Sequence, residues 1–252
     1  MDRFVNAIAF DLETTGTDLA YDQPVSYALY FNDPDTPRSE HQLVQPTVPI
    51  ADDAIAVHGI TQADVDERGI ELTTALRTLG NTLVRASREG HILVGMNVSF
   101  DLTILDQQLH THFGKGLLDA GWNGPIFDTI VMDRHLDRYR KGKRTLTALC
   151  EEYGVTFENA HDALADSKAC LDVAQAMCER YPELEDVPNS QLLSLQTDAY
   201  LTWAAGFNDY RVRNGQEPIT LYETWPVLLA PPVVPVKAVQ SQVSNASVSA
   251  GG

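Results

Sequence analysis

Basic side chains are scarce in this sequence: 18 Lys and Arg stand against 35 Asp and Glu, a net charge of −17 over 252 residues. Proteins that grip long duplexes neutralise phosphates with a basic surface, so this balance argues against tight, metal-free binding to long nucleic acid. It leaves open a site that concentrates carboxylates and meets phosphate through divalent cations. Cysteine is scarce too. Cys150, Cys170 and Cys178 are odd in number and form no C-x-x-C pair, which indicates neither a disulfide framework nor a zinc cluster and leaves reduced, buried thiols. No apolar run approaches the roughly 18 residues that a membrane span needs. The first residues lack a basic segment followed by an apolar stretch, so the expectation is a cytoplasmic protein with no membrane partner. What is present is 44% hydrophobic content, enough for one full-sized core plus an appendage.

Along the chain, Val5 to Leu12 reads as a short apolar strand ending in acidic residues and the turn signal Thr14-Thr15-Gly16. Val25 to Phe31 is rich in β-branched and aromatic residues, and His41 to Val44 follows a Pro/Asp-rich turn, so the first three strands form an antiparallel meander. From Ile70 to Arg88 apolar residues recur at helical spacing, and Gly90 stops the pattern. A buried strand over 91–96 leads into a helix that carries Asp101 in its first turn. Ile126-Phe127 reads as a short strand, and helices follow from about Thr129, from Thr145 to Tyr153 and from Asp162 to Arg180. Three strands followed by alternating helices and strands give an α/β architecture, a central five-stranded mixed sheet of an antiparallel meander plus parallel strands, flanked by helices. After Tyr181-Pro182 the character changes. Leu192, Leu195, Ala199, Trp203, Phe207 and Tyr210 line one face of a further helix. Residues 1–182 are therefore read as the main domain, 183–230 as a helical extension packed on it or on a partner, and 231–252 as a flexible tail too poor in aromatic and charged residues to offset the entropy of ordering.

Three segments carry the chemistry. Asp11-Leu12-Glu13 puts two carboxylates on one side of an extended strand, because side chains alternate with period two. Asp101 adds a carboxylate at a helix start, where it also complements the helix dipole. His161 precedes the last long helix of the domain and Asp166 lies inside it, so the histidine sits on a loop beside a site that the aspartate anchors.

Together, F-D-L-E-T-T-G at 10–16, N-V-S-F-D at 97–101 and H-D-A-L-A-D at 161–166 resemble the DEDDh exonuclease family, the group that includes the epsilon proofreading subunit of bacterial DNA polymerase III. P-I-A-D-D-A-I-A-V-H-G-I-T ending at Thr61, F-D-T at 127–129 and L-T-A-L-C-E-E-Y-G before the histidine extend the likeness in order over roughly the first 180 residues. The resemblance implies a ribonuclease-H-like fold, with Asp11, Glu13, Asp101 and Asp166 as metal ligands and His161 as general base. Oxygen ligands suit Mg²⁺, with Mn²⁺ as a substitute, and two such ions about 3.5 to 4 Å apart stabilise the attacking and leaving oxygens of an in-line displacement. An imidazole of ordinary pKa near 6.5 accepts a proton from the attacking water at neutral pH.

The same resemblance brings Thr14, Thr15, Leu12, Phe100 and His58 to the 3′-terminal nucleotide. Turn chemistry for the threonines, core packing for Leu12 and Phe100 and an ordinary loop contact for His58 are the competing explanations. Six of the 18 basic residues, Arg134, Arg138, Arg140, Lys141, Lys143 and Arg144, fall in one 11-residue stretch, which is either a phosphate-binding patch or a solvated loop. The chain departs from the epsilon pattern in having Glu158-Asn159-Ala160, with no arginine, before His161, and no clamp-binding peptide is evident. The expectation is a stand-alone enzyme of a bacterium or phage, removing nucleoside 5′-monophosphates from DNA 3′ ends with single strands preferred. Exoribonuclease action on short RNA is the alternative within the enzyme class. A non-catalytic recruitment module is the alternative outside it, and residues 189–225 offer a surface for a polymerase or another protein.

Overall fold

The computed structural model describes residues 3–157, 163–218 and 224–229. Strand β1 (Ile8–Thr14) is the middle of a mixed sheet. It pairs antiparallel with β2 (Pro24–Phe31), which pairs antiparallel with β3 (Arg38–Gln45), so Phe10 faces Leu29 and Ala28 faces His41 across the ladders. On its other side lie β5 (Leu93–Gly95) and β6 (Ile126–Asp128), both parallel. A two-residue strand β4 (Ile70–Glu71) joins the outer end of β3, and the order is β4-β3-β2-β1-β5-β6.

The sheet therefore has six strands where the sequence pattern predicts five. The extra strand occupies what reads as the start of a helix. Gly69 explains it: a Cβ there would stand 2.9 Å from the Gln45 nitrogen and closer still to the Val65 carbonyl oxygen, so only glycine lets the chain close against β3 before the helix begins. Two residues carry no periodicity by which a sequence reading would find them.

Helices α1 (Asp52–His58) and α2 (Gln62–Arg68) cover the β3 end of the sheet. On one face α3 (Leu72–Glu89) and α4 (Val98–Phe113) pack Leu76, Leu79, Leu102 and Leu105 against Phe10 and Leu12. On the other, α5 (Thr129–Leu136), α6 (Leu146–Tyr153) and α7 (Ala163–Arg180) bring Met132, Leu149, Val173 and Met177 against Ala9 and Val94. Each fully buried leucine contributes about 1.5 to 3 kcal/mol. Period two along β1 thus sends Ile8, Phe10 and Leu12 to the α3/α4 face and Ala9 to the α7 face. Asp11 and Glu13 continue the Ala9 row, towards α7.

A last helix, α8 (Leu192–Arg213), packs on α5 and along the open edge of β6. Of its expected apolar stripe Leu192 is buried, Leu195, Ala199, Trp203 and Phe207 are half-buried and Tyr210 is exposed, while Gln196 and Ala204 beside the stripe are buried. Cys150 and Cys170 are buried and Cys178 half-buried, none of them in a disulfide among the described residues. Among the described residues no helix is long and apolar enough to cross a membrane. Residues 231–252, expected to be a flexible tail, lie outside the described residues, as does His161.

Candidate active site

The C-terminal end of β1 meets the N-terminal end of α7, and there Asp11, Glu13 and Asp166 each present a carboxylate oxygen within 4.8 Å of the others. Two elements make this cluster: the strand supplies Asp11 and Glu13 from one face, and the first turn of α7 supplies Asp166 above that face. Small Ala9 and Ala169 on the same face belong to the cluster of buried residues beneath α7.

Asp101 enters from the opposite layer. Strand β5 ends at Gly95, so the Leu12 N–H lies beyond its parallel neighbour, and Asp101 Oδ1 accepts it at 2.9 Å. Burial and then the charges of Asp101, Glu13 and Asp166 push the Asp11 carboxyl well above the usual carboxylate range. Burial likewise drives Asp101 up, against the N–H donated by Leu12 and with the help of Glu13 and Asp128. Four carboxylates gathered in one corner, Asp101 buried and Asp11, Glu13 and Asp166 half-buried, repel one another, and divalent cations relieve that repulsion. The donors are all oxygen, the set that hard ions of the Mg²⁺ class take. Such ions fit this corner: Asp11, Glu13 and Asp166 are close enough to share one, with Asp101 beside them.

The residues expected near the terminal nucleotide are arranged in two ways. Thr15 is fully buried: its Oγ1 donates to Asp22 Oδ1 at 2.6 Å and accepts the Gln23 N–H at 3.0 Å. Thr14 Oγ1 donates to the Gly16 carbonyl at 2.6 Å. Both hydroxyls are committed to the turn. Leu12 is buried in the α3/α4 core, and Phe100 is half-buried in the first turn of α4. His58 ends α1, where its Nδ1 accepts the Ile60 N–H at 3.0 Å and its Nε2 faces the Thr14 carbonyl at 3.2 Å. With Nδ1 accepting, Nε2 carries the proton and donates it to Thr14. Burial lowers the His58 pKa, so the ring is neutral and pins the T-T-G turn. Beside Glu13 a cavity of about 410 Å³ opens, lined also by Ser26, His41, His58, Arg68 and Ala163.

Compared with known proteins, the sequence matches the exonuclease family of the RNase T type over residues 8–174, more than half of the chain. The chain belongs to this exonuclease family. Its curated relatives include a PolC-type DNA polymerase III of Lacticaseibacillus paracasei, 30% identical over 64% of this chain and 10% of that protein, and a DNA polymerase III epsilon subunit of Buchnera aphidicola, 30% identical over 50% of this chain and 50% of that one. The chain thus spans between a tenth and a half of the length of these relatives. Among solved structures, Exonuclease I of Methylocaldum szegediense superposes with a TM-score of 0.61 at 22% identity, covering 79% of this chain and 45% of that one, a likeness of fold. These matches place the chain in the DEDDh 3′→5′ exonuclease family, with a ribonuclease-H-like fold.

Two residues beside the site escape the sequence reading. Asp128, fully buried, caps α5 through the Ile130 and Val131 N–H groups and accepts the Asn97 and Val98 N–H groups at 3.1 and 2.9 Å. It therefore holds the start of the helix that carries Asp101, with Asn97 at a φ of 57° just before it. Only the F-D-T likeness signals it. Gln196 of α8, also fully buried, accepts the Asp128 N–H at 2.7 Å and donates to the Ile126 carbonyl. It completes the free edge of β6 as a neighbouring strand would, and nothing in its helix marks it.

Proposed function

We propose that this chain hydrolyses the 3′-terminal phosphodiester of DNA, single strands preferred, releasing nucleoside 5′-monophosphates with Mg²⁺, or Mn²⁺ in its place. The observation that carries the reading is the convergence of Asp11, Glu13 and Asp166 within 4.8 Å, with Asp101 anchored alongside, on a chain of this family. Asp11, Glu13, Asp101 and Asp166 hold two cations, which when bound supply positive charge to the attacking and leaving oxygens. The chain's own residues do the rest. Asp101 is fixed by the Leu12 N–H, so its carboxyl keeps one orientation as the site fills. Neutral His58 keeps the T-T-G turn against the site, and Leu12 and Phe100 border the terminal sugar and base, with Thr14 and Thr15 shaping that border from within the turn. His161 takes the proton of the attacking water. Single-strand preference is part of the proposal, since an end must leave its complement to reach half-buried carboxylates where β1 meets α7.

The relatives are DNA polymerase III components by name, which supports association with a polymerase beside the stand-alone enzyme that the sequence leads one to expect. The direct experiment follows a 5′-labelled single-stranded DNA with Mg²⁺ or Mn²⁺, beside EDTA, the Asp11→Ala variant and a matched RNA. A metal-dependent ladder shortening from the 3′ end, absent in the variant and slower on RNA, is expected. Faster turnover of RNA would move the substrate to RNA, and intact oligonucleotides under every condition would refute the exonuclease reading.

A further inference from the structure

The family match ends at residue 174, yet α8 beyond it builds a groove of about 500 Å³ against α5 and the basic loop that follows. We infer that this groove is a second binding site for single-stranded DNA, taking the strand a few nucleotides upstream of the 3′ end that enters the carboxylate corner. The inference rests on the exonuclease reading above.

The walls have the chemistry that single strands need, aromatic faces for bases and arginines for phosphates. Arg134 lies over the Trp203 ring at 3.7 Å, Trp203 stacks on Phe207 at 5.4 Å with 15° between planes, and Arg211 stands beyond at 5.9 Å. That column is already filled and forms a rigid wall. Open faces come from Tyr139 and Tyr210, exposed by 86% and 55%, far more than rings with a packing role. Arg138 also lines the groove, its guanidinium 5.8 Å from the centre of the Tyr139 ring. Its Nη2 would stand 3.4 Å from a Cβ at Gly206, an ordinary contact distance, so the guanidinium lies against α8, and among the described residues it makes no ion pair.

The basic loop is also not a loose solvated run. Asp133, fully buried, accepts Arg140 Nη2 at 2.9 Å, Arg144 Nε at 2.6 Å and Tyr153 Oη at 2.9 Å, which fixes the backbone carrying Arg138, Lys141 and Lys143. In a chain of net charge −17 this is a localised cationic edge. Continuity favours DNA over an acidic peptide. Helix α5 starts beside Asp128, whose carboxylate holds the Asp101 helix, and Arg134 lies five residues beyond Thr129, about 8 Å along the axis. Strand β5 lies between β1 and β6, which adds about 9 to 10 Å, so a strand seated at the carboxylates reaches Arg134 within about four nucleotides at a stacked rise of about 3.4 Å each. Asp198 in the lining offers an acceptor to base amino groups.

The test measures fluorescence anisotropy of 5′-fluorescein-(dT)12 with an uncleavable 3′ linkage, in Mg²⁺, on the full chain. Arg138→Glu with Tyr210→Ala should weaken binding about tenfold or more. The slope of log affinity against log salt should flatten by about 0.7 for each phosphate that is no longer neutralised. Both residues are surface-exposed, and thermal melting checks that the fold is kept, with Arg138→Ala as the milder variant. Wild-type affinity in both variants, alongside cleavage of unmodified (dT)12 by the parent chain, overturns the groove and leaves the exonuclease reading standing. Displacement of the probe by an acidic decapeptide overturns it in favour of a protein partner. No binding and no cleavage of any oligonucleotide by the parent chain overturns the exonuclease reading, and the groove with it.

Discussion

At Asp11 the energetics of folding and of the site pull in opposite directions. Its carboxyl is raised well above the usual range by burial first and then by Asp101, Glu13 and Asp166, so without metal its ionised form opposes folding at neutral pH. Asp11→Asn removes that charge with little change of shape. In EDTA the variant should melt higher than the parent, by about 2 to 4 °C for each kcal/mol relieved. The same variant should lose most of the Mg²⁺-induced rise in melting temperature, since a cation that binds only the folded state stabilises it by mass action. Cleavage should fall by about a hundredfold or more, the equivalent of several kcal/mol of charge stabilisation. A lower midpoint in EDTA would show that the carboxylate is satisfied by something other than a cation. His161 is a separate case, because its proposed duty is proton transfer alone. Replacing it with Ala should lower the rate by about 10² to 10⁴ while the Mg²⁺ shift in melting persists. An unaltered pH profile in that variant would make it a structural loop residue.

Between elements, the coupling that matters runs from α8 through Gln196 to Asp128 and on to the Asp101 helix. Burial raises Asp128 to about 6 in spite of the four N–H groups it accepts. A carboxyl whose folded pKa exceeds its unfolded value binds protons more readily when folded, so its contribution to stability is fully present below about pH 4 and is lost as pH rises through about 6. Asp128→Asn removes the titration along with part of the cap. The destabilisation caused by the variant should therefore be greater at pH 4 than at pH 7, by about 3 kcal/mol for a shift of about two units, read from denaturant midpoints in EDTA. An equal penalty at both pH values would mean that Asp128 titrates alike in the folded and unfolded chains. Gln196→Leu should leave the Ile126 carbonyl and the Asp128 N–H without partners, at a cost of about 1 to 3 kcal/mol for each buried group. Gln196→Glu should be worse, because it keeps the acceptor, loses the donor and buries a charge. These residues show where the sequence stops being legible. Asp11 and Glu13 follow from the period of a strand, and Asp101 and the long helices follow from caps and apolar spacing. By contrast, Gln196 bonds a strand 70 positions away, and β4 exists because Gly69 lets two residues touch β3. Neither relation leaves a local pattern, since each is fixed by packing between distant segments.

For the whole molecule the governing quantity is the net charge of −17, confronting a polyanionic substrate. Such a chain repels itself, and salt with a Debye length of about 10 Å at 0.1 M screens that repulsion. Engagement of DNA depends instead on a few local cations, the bound metals and the edge formed by Arg138, Lys141 and Lys143, whose attraction for phosphate the same salt weakens. Stability and substrate binding should therefore respond to salt with opposite signs. Raising NaCl from about 0.05 to about 0.5 M, the range over which the screening length falls by roughly threefold, should lift the melting temperature in EDTA and loosen single-stranded DNA in Mg²⁺. Differential scanning fluorimetry and anisotropy on one preparation measure both. If the two fell together, self-repulsion would be a minor part of the stability and the acidic surface would already be neutralised by its own pairing. If binding strengthened with salt, the proposed cationic edge would have no share in holding the strand, because screening weakens every contact between an arginine and a phosphate.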